Sequence, residues 1–427
     1  MQPPQRSVLC TVLALAVAGL VGAVLAVFGT TTTAEAATGL RVTDGRLYEA
    51  NGTEFVMRGV NHAHAWYPAE TGSLADIAAT GANTVRIVLS SGDRWTRTSA
   101  SEVSSLVGRC KANKLICVLE VHDTTGYGED GAAASLDQAA NYWIAVKGAL
   151  EGQENYVVIN IGNEPFGNTG YSAWTAATKS AIGKLRGAGL HHALMVDAPN
   201  WGQDWSNTMR SNAASVFASD PDRNTVFSIH MYGVYDTAAE VRDYLGHFVN
   251  NKLPIVVGEF GDAHSDGNPD EDAIMATAQS LKVGYIGWSW SGNGSGVEYL
   301  DMVNGFDADA PTNWGKRFLS GANGISTTSA RATVYGGIPG NGGSGTAPNG
   351  YPYCVSGASD PDGDGWGWEN NRSCVVRGSS ADTGNGGSGT APNGYPYCVS
   401  GASDPDGDGW GWENNRSCVV RGSSADT

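Results

Sequence analysis

Between residues 37 and 337, short apolar runs alternate with stretches in which apolar residues recur every three or four positions. These are the signatures of buried strands and amphipathic helices. The runs fall at 55–61, 84–89, 115–121, 157–161, 193–197, 225–230, 254–259 and 284–288, and their starts lie 29 to 42 residues apart. That spacing holds one strand, one helix and two loops, so successive strands pair in parallel through helical crossovers. Ser99 with Glu102 and Thr237 with Glu240 have the form of a capping box and mark helix starts. Eight units in about 300 residues predict an α/β fold, the (β/α)8 TIM barrel. An open doubly wound sheet is the alternative, but no Gly-x-Gly-x-x-Gly follows the first run.

The pattern changes at both ends. Arg6, an apolar run over 8–28 and the small-residue sequence Ala34-Glu35-Ala36-Ala37 read as an export signal over 1–36. The run is also long enough for a membrane anchor. At the other end, 340–383 and 384–427 are identical at all 44 positions, and each copy opens with a Gly-, Ser- and Pro-containing spacer. We divide the chain into a barrel over 37–337, linkers over 338–350 and 379–394, and two small β-rich modules over 351–378 and 395–422. Two copies are too few for a stacked solenoid. In each module two tryptophans flank one glycine, Trp366 with Trp368 and Trp410 with Trp412, and so share one side of an extended strand. With Tyr351 and Tyr395 they are candidates for flat aromatic surfaces that stack on sugar rings; a miniature core around a disulfide is the structural alternative.

Cysteine usage fits that export. Without Cys10 six cysteines remain, an even number suited to an oxidising compartment. Local pairing joins Cys110 to Cys117, Cys354 to Cys374 and Cys398 to Cys418, although sequence alone leaves the connectivity open. Composition narrows the partners: the net charge is −17, with 13 Trp, 16 Tyr and 9 Phe. The acidic excess argues against nucleic acid, and the aromatic content against general disorder. Asp262, Asp266 and Asp270 follow the seventh run and are candidate oxygen ligands for a structural Ca2+, or else a solvated loop.

In such a barrel the chemistry sits at the C-terminal strand ends. That filter retains Asn61, His62, Arg86, His122, Asp123, Asn163, Glu164, Asp197, Trp201, His230, Tyr232, Glu259, Trp288 and Trp290. Glu164 and Glu259 supply the two carboxyl groups that glycosidic hydrolysis needs, one to protonate the departing oxygen and one to meet the anomeric carbon. Their environments must differ, with aromatic neighbours desolvating one and Arg86 keeping the other ionised. A buried pair bridged to Arg86 and the histidines is the structural alternative.

Arg86, His122, Asn163-Glu164-Pro165, His230-Met231-Tyr232, Gly258-Glu259-Phe260 and Trp288 occur in the order of a known signature. Together with RGVNHAHAWYP, NIGNEPFGN and GWSWSGN, they resemble glycoside hydrolase family 5 and, within it, the bacterial endo-β-1,4-mannanases. The resemblance implies a retaining hydrolase with Glu164 as acid/base and Glu259 as nucleophile. It places Asn163 on the 2-hydroxyl of the −1 sugar, Arg86 and Tyr232 on Glu259, and His230 behind Glu164. Trp288 stacks under the −1 sugar, His122 lines the same pocket, and Trp201 and Trp290 are candidate platforms. The tail modules resemble family 10 carbohydrate-binding modules without their upstream cysteine and some of their aromatics. The implied partners are β-mannans and cellulose-containing plant cell wall, met by an exported, monomeric enzyme that needs no redox or nucleotide cofactor. An endo-β-1,4-glucanase on the same barrel and a non-catalytic polysaccharide-binding protein are the alternatives.

Overall fold

Side chains alternate across the barrel strands, and this decides what fills the interior. The computed structural model describes residues 39–336 except 295 and, in the tail, Tyr351, Cys354, 365–369, 372–376, 397–398, 409–413, 416–420 and 423–424. The expected export signal, both linkers and Tyr395 lie outside the described residues.

A hairpin missed by the sequence reading comes first, β1 (Arg41–Thr43) with β2 (Arg46–Tyr48), each too short to carry a periodic signal. The barrel strands are β3 (Arg58–His62), β4 (Thr84–Leu89), β5 (Ile116–Val121), β6 (Val157–Asn160), β7 (Ala193–Asp197), β8 (Thr225–Met231), β9 (Ile255–Phe260) and β10 (Gly284–Gly287). All eight pair in parallel in chain order, and β10 closes on β3. The closed sheet excludes the open alternative.

Helices α1 (Ser73–Ala79), α2 (Ala100–Ala112), α3 (Leu136–Ala145), α4 (Trp174–Gly187), α5 (Thr208–Ser219), α6 (Ala238–Asn250) and α7 (Glu271–Leu281) fill the crossovers; α8 (Asn313–Ser320) and α9 (Ile325–Thr328) follow β10. Both expected capping boxes are present, and Ser135 with Gln138 forms another at α3. Outward residues such as Cys117, Leu119, Ile159, Leu194 and Phe227 join the helices in the main core. Inward residues Ile116, Val118, Val158, Met195, Val226, Val256 and Ile286 form a second apolar layer at the N-terminal end. Leu40, Phe55, Met57 and Ala332 close that end from below.

The Cys110–Cys117 bridge is not formed. The two sulfurs lie 2.8 Å apart, beyond the roughly 2.05 Å of a disulfide, and both cysteines stay buried thiols. Burial and the neighbouring Cys110 push the Cys117 thiol well up, so little thiolate is available for oxidation. In the tail the other two expected bridges are formed, Cys354–Cys374 and Cys398–Cys418. Each closes beside an antiparallel pair, β11 (Trp366–Glu369) with β12 (Arg372–Val375) and β13 (Trp410–Glu413) with β14 (Arg416–Val419). Trp366 is half-buried, with Tyr351 edge-on at 4.8 Å. Trp410 is half-buried in the second module; the side chains of Trp368 and Trp412 lie outside the described residues.

Candidate active site

Above the apolar layer the same alternation turns polar groups inward. Arg86 on β4 is fully buried, and its five N–H donors meet five acceptors. Nε donates to Asn160 Oδ1 (2.8 Å), Nη1 to Asn61 Oδ1 (2.9 Å) and Glu259 Oε1 (2.7 Å), and Nη2 to Asn163 Oδ1 (2.6 Å) and Asp197 Oδ2 (3.1 Å). Burial opposes its charge, but Glu120, Asp197 and Glu259 outweigh burial and hold the guanidinium above its ordinary value.

Strict alternation would point Glu259 outward, because Val256 faces in and Val257 faces out. A register shift between β8 and β9 pairs Ile229 with Val257 but His230 with Glu259, leaving Gly258 as the extra residue. Such a bulge re-aims the next side chain, here into the barrel. Gly258 cannot be replaced without movement, since a Cβ there would meet Ser228 Oγ at 2.2 Å. Glu259 Oε2 accepts from the Tyr232 hydroxyl at 3.1 Å. Burial raises this carboxyl above its ordinary value, and His230 and Arg86 offset burial only in part.

Glu164 follows β6 in the left-handed region (φ 40°), its N–H donating to Asp197 Oδ2 at 3.3 Å. His230 Nδ1 lies 2.8 Å from Glu164 Oε1 and 3.5 Å from Glu259 Oε2. Its Nε2 faces Asp197 Oδ2 at 3.3 Å without hydrogen-bond alignment. Burial lowers and Glu259 and Asp197 raise the His230 pKa, with a net rise to about 10, so the ring is an imidazolium at neutral pH. Asp197 is depressed to about 2, as His230 and Arg86 overcome its burial. Asn163 Nδ2 donates to Thr125 Oγ1 at 2.8 Å.

Two aromatic walls flank this centre. On one side His122 stacks on Trp288 (5.6 Å, 27°), with Trp66 edge-on at 5.0 Å and Trp95 at 5.8 Å. The Trp288 indole N–H donates to Asn293 Oδ1 at 2.8 Å. On the other side an open cleft of about 570 Å³ is lined by Glu164, Trp201, Trp205, Tyr232, Gln203 and His264 among others. Trp201 donates to Glu129 Oε2 at 3.3 Å, Trp205 to Asn168 Oδ1 at 2.6 Å, and His264 stacks on Tyr232 at 4.4 Å.

Two expectations need correction. Trp290 is no platform: it is 1% exposed and packs in the core between sheet and helices, because the chain turns its ring outward after β10. Among the described residues Asp262, Asp266 and Asp270 do not converge on a cation site. Asp270 instead caps α7 through the Ala273 N–H, and Asp266 accepts from Gln203, His264 and the Gly233 N–H. Sequence reading also missed Glu120 and Asn160, which lie inside apolar runs rather than at their ends, and Trp66, Trp95, Trp205 and His264, which lie in loops without period. A charge inside an apolar run, as in Leu119-Glu120-Val121, was the available signal for the first.

Residues 48–294 match the family described as Cellulase (glycosyl hydrolase family 5). The chain belongs to glycosyl hydrolase family 5. Its tail matches the family described as Cellulose or protein binding domain twice, over 344–376 and 388–420. Family 5 relatives include a mannan endo-1,4-beta-mannosidase of Streptomyces lividans, 79% identical over 349 residues that cover 81% of this chain and 91% of the relative. Another of that name, from Cellvibrio japonicus, is 52% identical and covers 88% of this chain and 87% of its own length. Among solved structures, a beta-mannanase from Thermomonospora fusca is 61% identical with a TM-score of 0.69, covering 70% of this chain and all of its own. As a family 5 member the chain is a glycoside hydrolase, and its substrate is a polysaccharide. Among the described residues no helix is long and apolar enough to cross a membrane.

Proposed function

We propose that this family 5 chain is an endo-β-1,4-mannanase that cleaves internal bonds of mannan, galactomannan and glucomannan with retention. One observation carries the mechanism: ligand atoms of Glu164, His230 and Glu259 all lie within 4.8 Å of one another. Carboxyl groups about 5 to 5.5 Å apart leave no room for a water between them and the sugar, whereas inverting pairs stand about 6.5 to 9.5 Å apart.

Glu259, oriented by Arg86 and Tyr232, attacks the anomeric carbon. Glu164 borders the cleft that receives the leaving chain and protonates the departing oxygen. The same residue then takes a proton from the water that releases the glycosyl-enzyme. Asn163 contacts the 2-hydroxyl of the −1 sugar, and Trp288 and His122 form the floor beneath that sugar. Trp201 is a platform on the leaving side.

Residues 1–36 direct export and are removed, and the barrel acts as a monomer outside the cell. The tandem modules hold it on cellulose-containing plant cell wall through Trp366, Trp368, Trp410 and Trp412, with Tyr351 and Tyr395 beside them. The relatives' names favour mannan over glucan. Reducing-sugar release from galactomannan and from soluble cellulose tests the reading, with Glu259→Gln as control. Release from mannan that the variant loses supports it. Release chiefly from cellulose turns it to an endoglucanase, and equal release by the variant sinks the mechanism.

A further inference from the structure

Glu120 has no role in the reaction as derived above, yet it is fully buried in the polar layer of the barrel interior and its Oε2 has no hydrogen-bond partner. A carboxylate in such a place costs several kcal/mol unless something needs its charge. Arg86 does not. Its nearest nitrogen is 3.9 Å from Glu120 Oε1, and all five of its donors are taken by Asn61, Asn160, Asn163, Asp197 and Glu259. The close polar contact of Glu120 is His122 Nδ1, at 2.8 Å.

That contact fixes much about His122. His122 opens the turn that follows β5, two positions beyond Glu120, and its imidazole is packed among Trp288, Trp66 and Trp95. With Nδ1 tied to a carboxylate, Nδ1 carries a proton and Nε2 is the remaining polar atom. Faces of indole rings favour a cation beside them.

We infer that Glu120 is a positioning residue for hydrolysis: it locks His122 as a doubly protonated hydrogen-bond donor whose Nε2–H is presented to a hydroxyl of the −1 sugar beside Trp288. The inference rests on the −1 site proposed above. The charged groups acting on His122 are Glu120 on its own strand, Glu259 on β9 and Arg86 on β4. Burial lowers its pKa, Glu120 and then Glu259 raise it, Arg86 lowers it again, and the net direction is up. Without Glu120 the effect of burial is opposed mainly by Glu259, so the imidazolium is lost at lower pH.

The test uses the full chain with Glu120→Gln and Glu120→Asp, galactomannan as substrate, and nitrogen-15 spectra of the histidines assigned through His122→Asn. In the native enzyme the His122 signals are those of an imidazolium through neutral pH. In Glu120→Gln the alkaline limb of kcat/KM moves to lower pH by about one unit or more, with roughly 10-fold or greater loss at pH 8 and a smaller loss at pH 5. The His122 signals turn neutral over the same interval, and Glu120→Asp recovers part of both. A uniform loss at every pH with His122 still charged overturns the inference, as does a Glu120→Gln profile equal to the native one. A native enzyme inactive on mannan but active on cellulose fails the substrate reading instead, and the same pH series is then run on cellulose.

Discussion

The two ends of one barrel interior are built by the same strands and differ in a single layer of side chains. Below, Val118, Val158, Met195, Val226 and Val256 pack against one another. One inward step higher stand Glu120, Asn160, Asp197, Ser228 and the bulge that delivers Glu259. The lower layer gains from removing apolar surface from water. The upper layer is stable only because its charges are matched: Arg86 saturates five acceptors, and His230 sits between Glu164 and Asp197. Stability and chemistry are thus stacked rather than mixed, and substitutions in the two layers fail in different ways.

The sharpest break comes at the top. Glu259→Gln keeps the shape but removes the proposed nucleophile, and turnover of mannan falls by roughly 10⁴-fold or more; steady-state kinetics with a circular dichroism check on folding measures this. Asp197→Asn comes next, since it leaves Arg86 and His230 short of a counter-charge. We expect roughly 10²-fold loss in kcat with a smaller change in KM. One layer down, Met195→Ala should leave kcat within about twofold and lower unfolding stability by about 2 to 5 kcal/mol. A Met195→Ala enzyme that lost turnover while keeping its denaturation midpoint would dissolve the division between layers.

How much of this was legible in advance follows the same division. Strand positions came from apolar runs, and the proposed catalytic pair came from polar residues that end those runs. Glu120 and Asn160 escaped because each sits inside an apolar run instead of ending it. Trp290 was misread because a ring near a strand end gives no sign of which face it takes. The inward turn of Glu259 was likewise invisible, for it depends on a one-residue offset between β8 and β9. Cys110 and Cys117 were rightly brought together, but their separation belongs to the packing of α2 on β5, which spacing does not encode.

Smaller effects sharpen the comparison. Burial raises the Glu259 carboxyl, and the proposed mechanism needs it ionised, so activity is lost as pH falls through a value above the ordinary carboxylate pKa of about 4.3. Arg86 and His230 are the groups that hold it down. Arg86→Lys keeps a charge but cannot meet five acceptors, so the acid limb of kcat/KM moves further up in pH; an unmoved or lower limb would contradict the assigned cause. The smallest effect on soluble substrate lies in the tail. Replacing Trp366 and Trp410 together by Ala should leave galactomannan turnover unchanged and weaken adsorption to insoluble cellulose by roughly 10-fold or more, since avidity multiplies two weak contacts. Depletion assays on the polymer read this directly.

Glu49 accepts the Thr333 N–H, the Thr333 hydroxyl and the Val334 N–H, each within 2.9 Å. This clasp fastens the last turn of the barrel chain to its first hairpin, on the face remote from the carboxylates. Among the described residues, the barrel chain therefore enters and leaves side by side at the closed base, away from the mouth. For an engineer this makes the barrel a cartridge: cargo can be fused at either end, or the ends joined and the ring reopened at an outer loop, without a strand of the catalytic rim being cut.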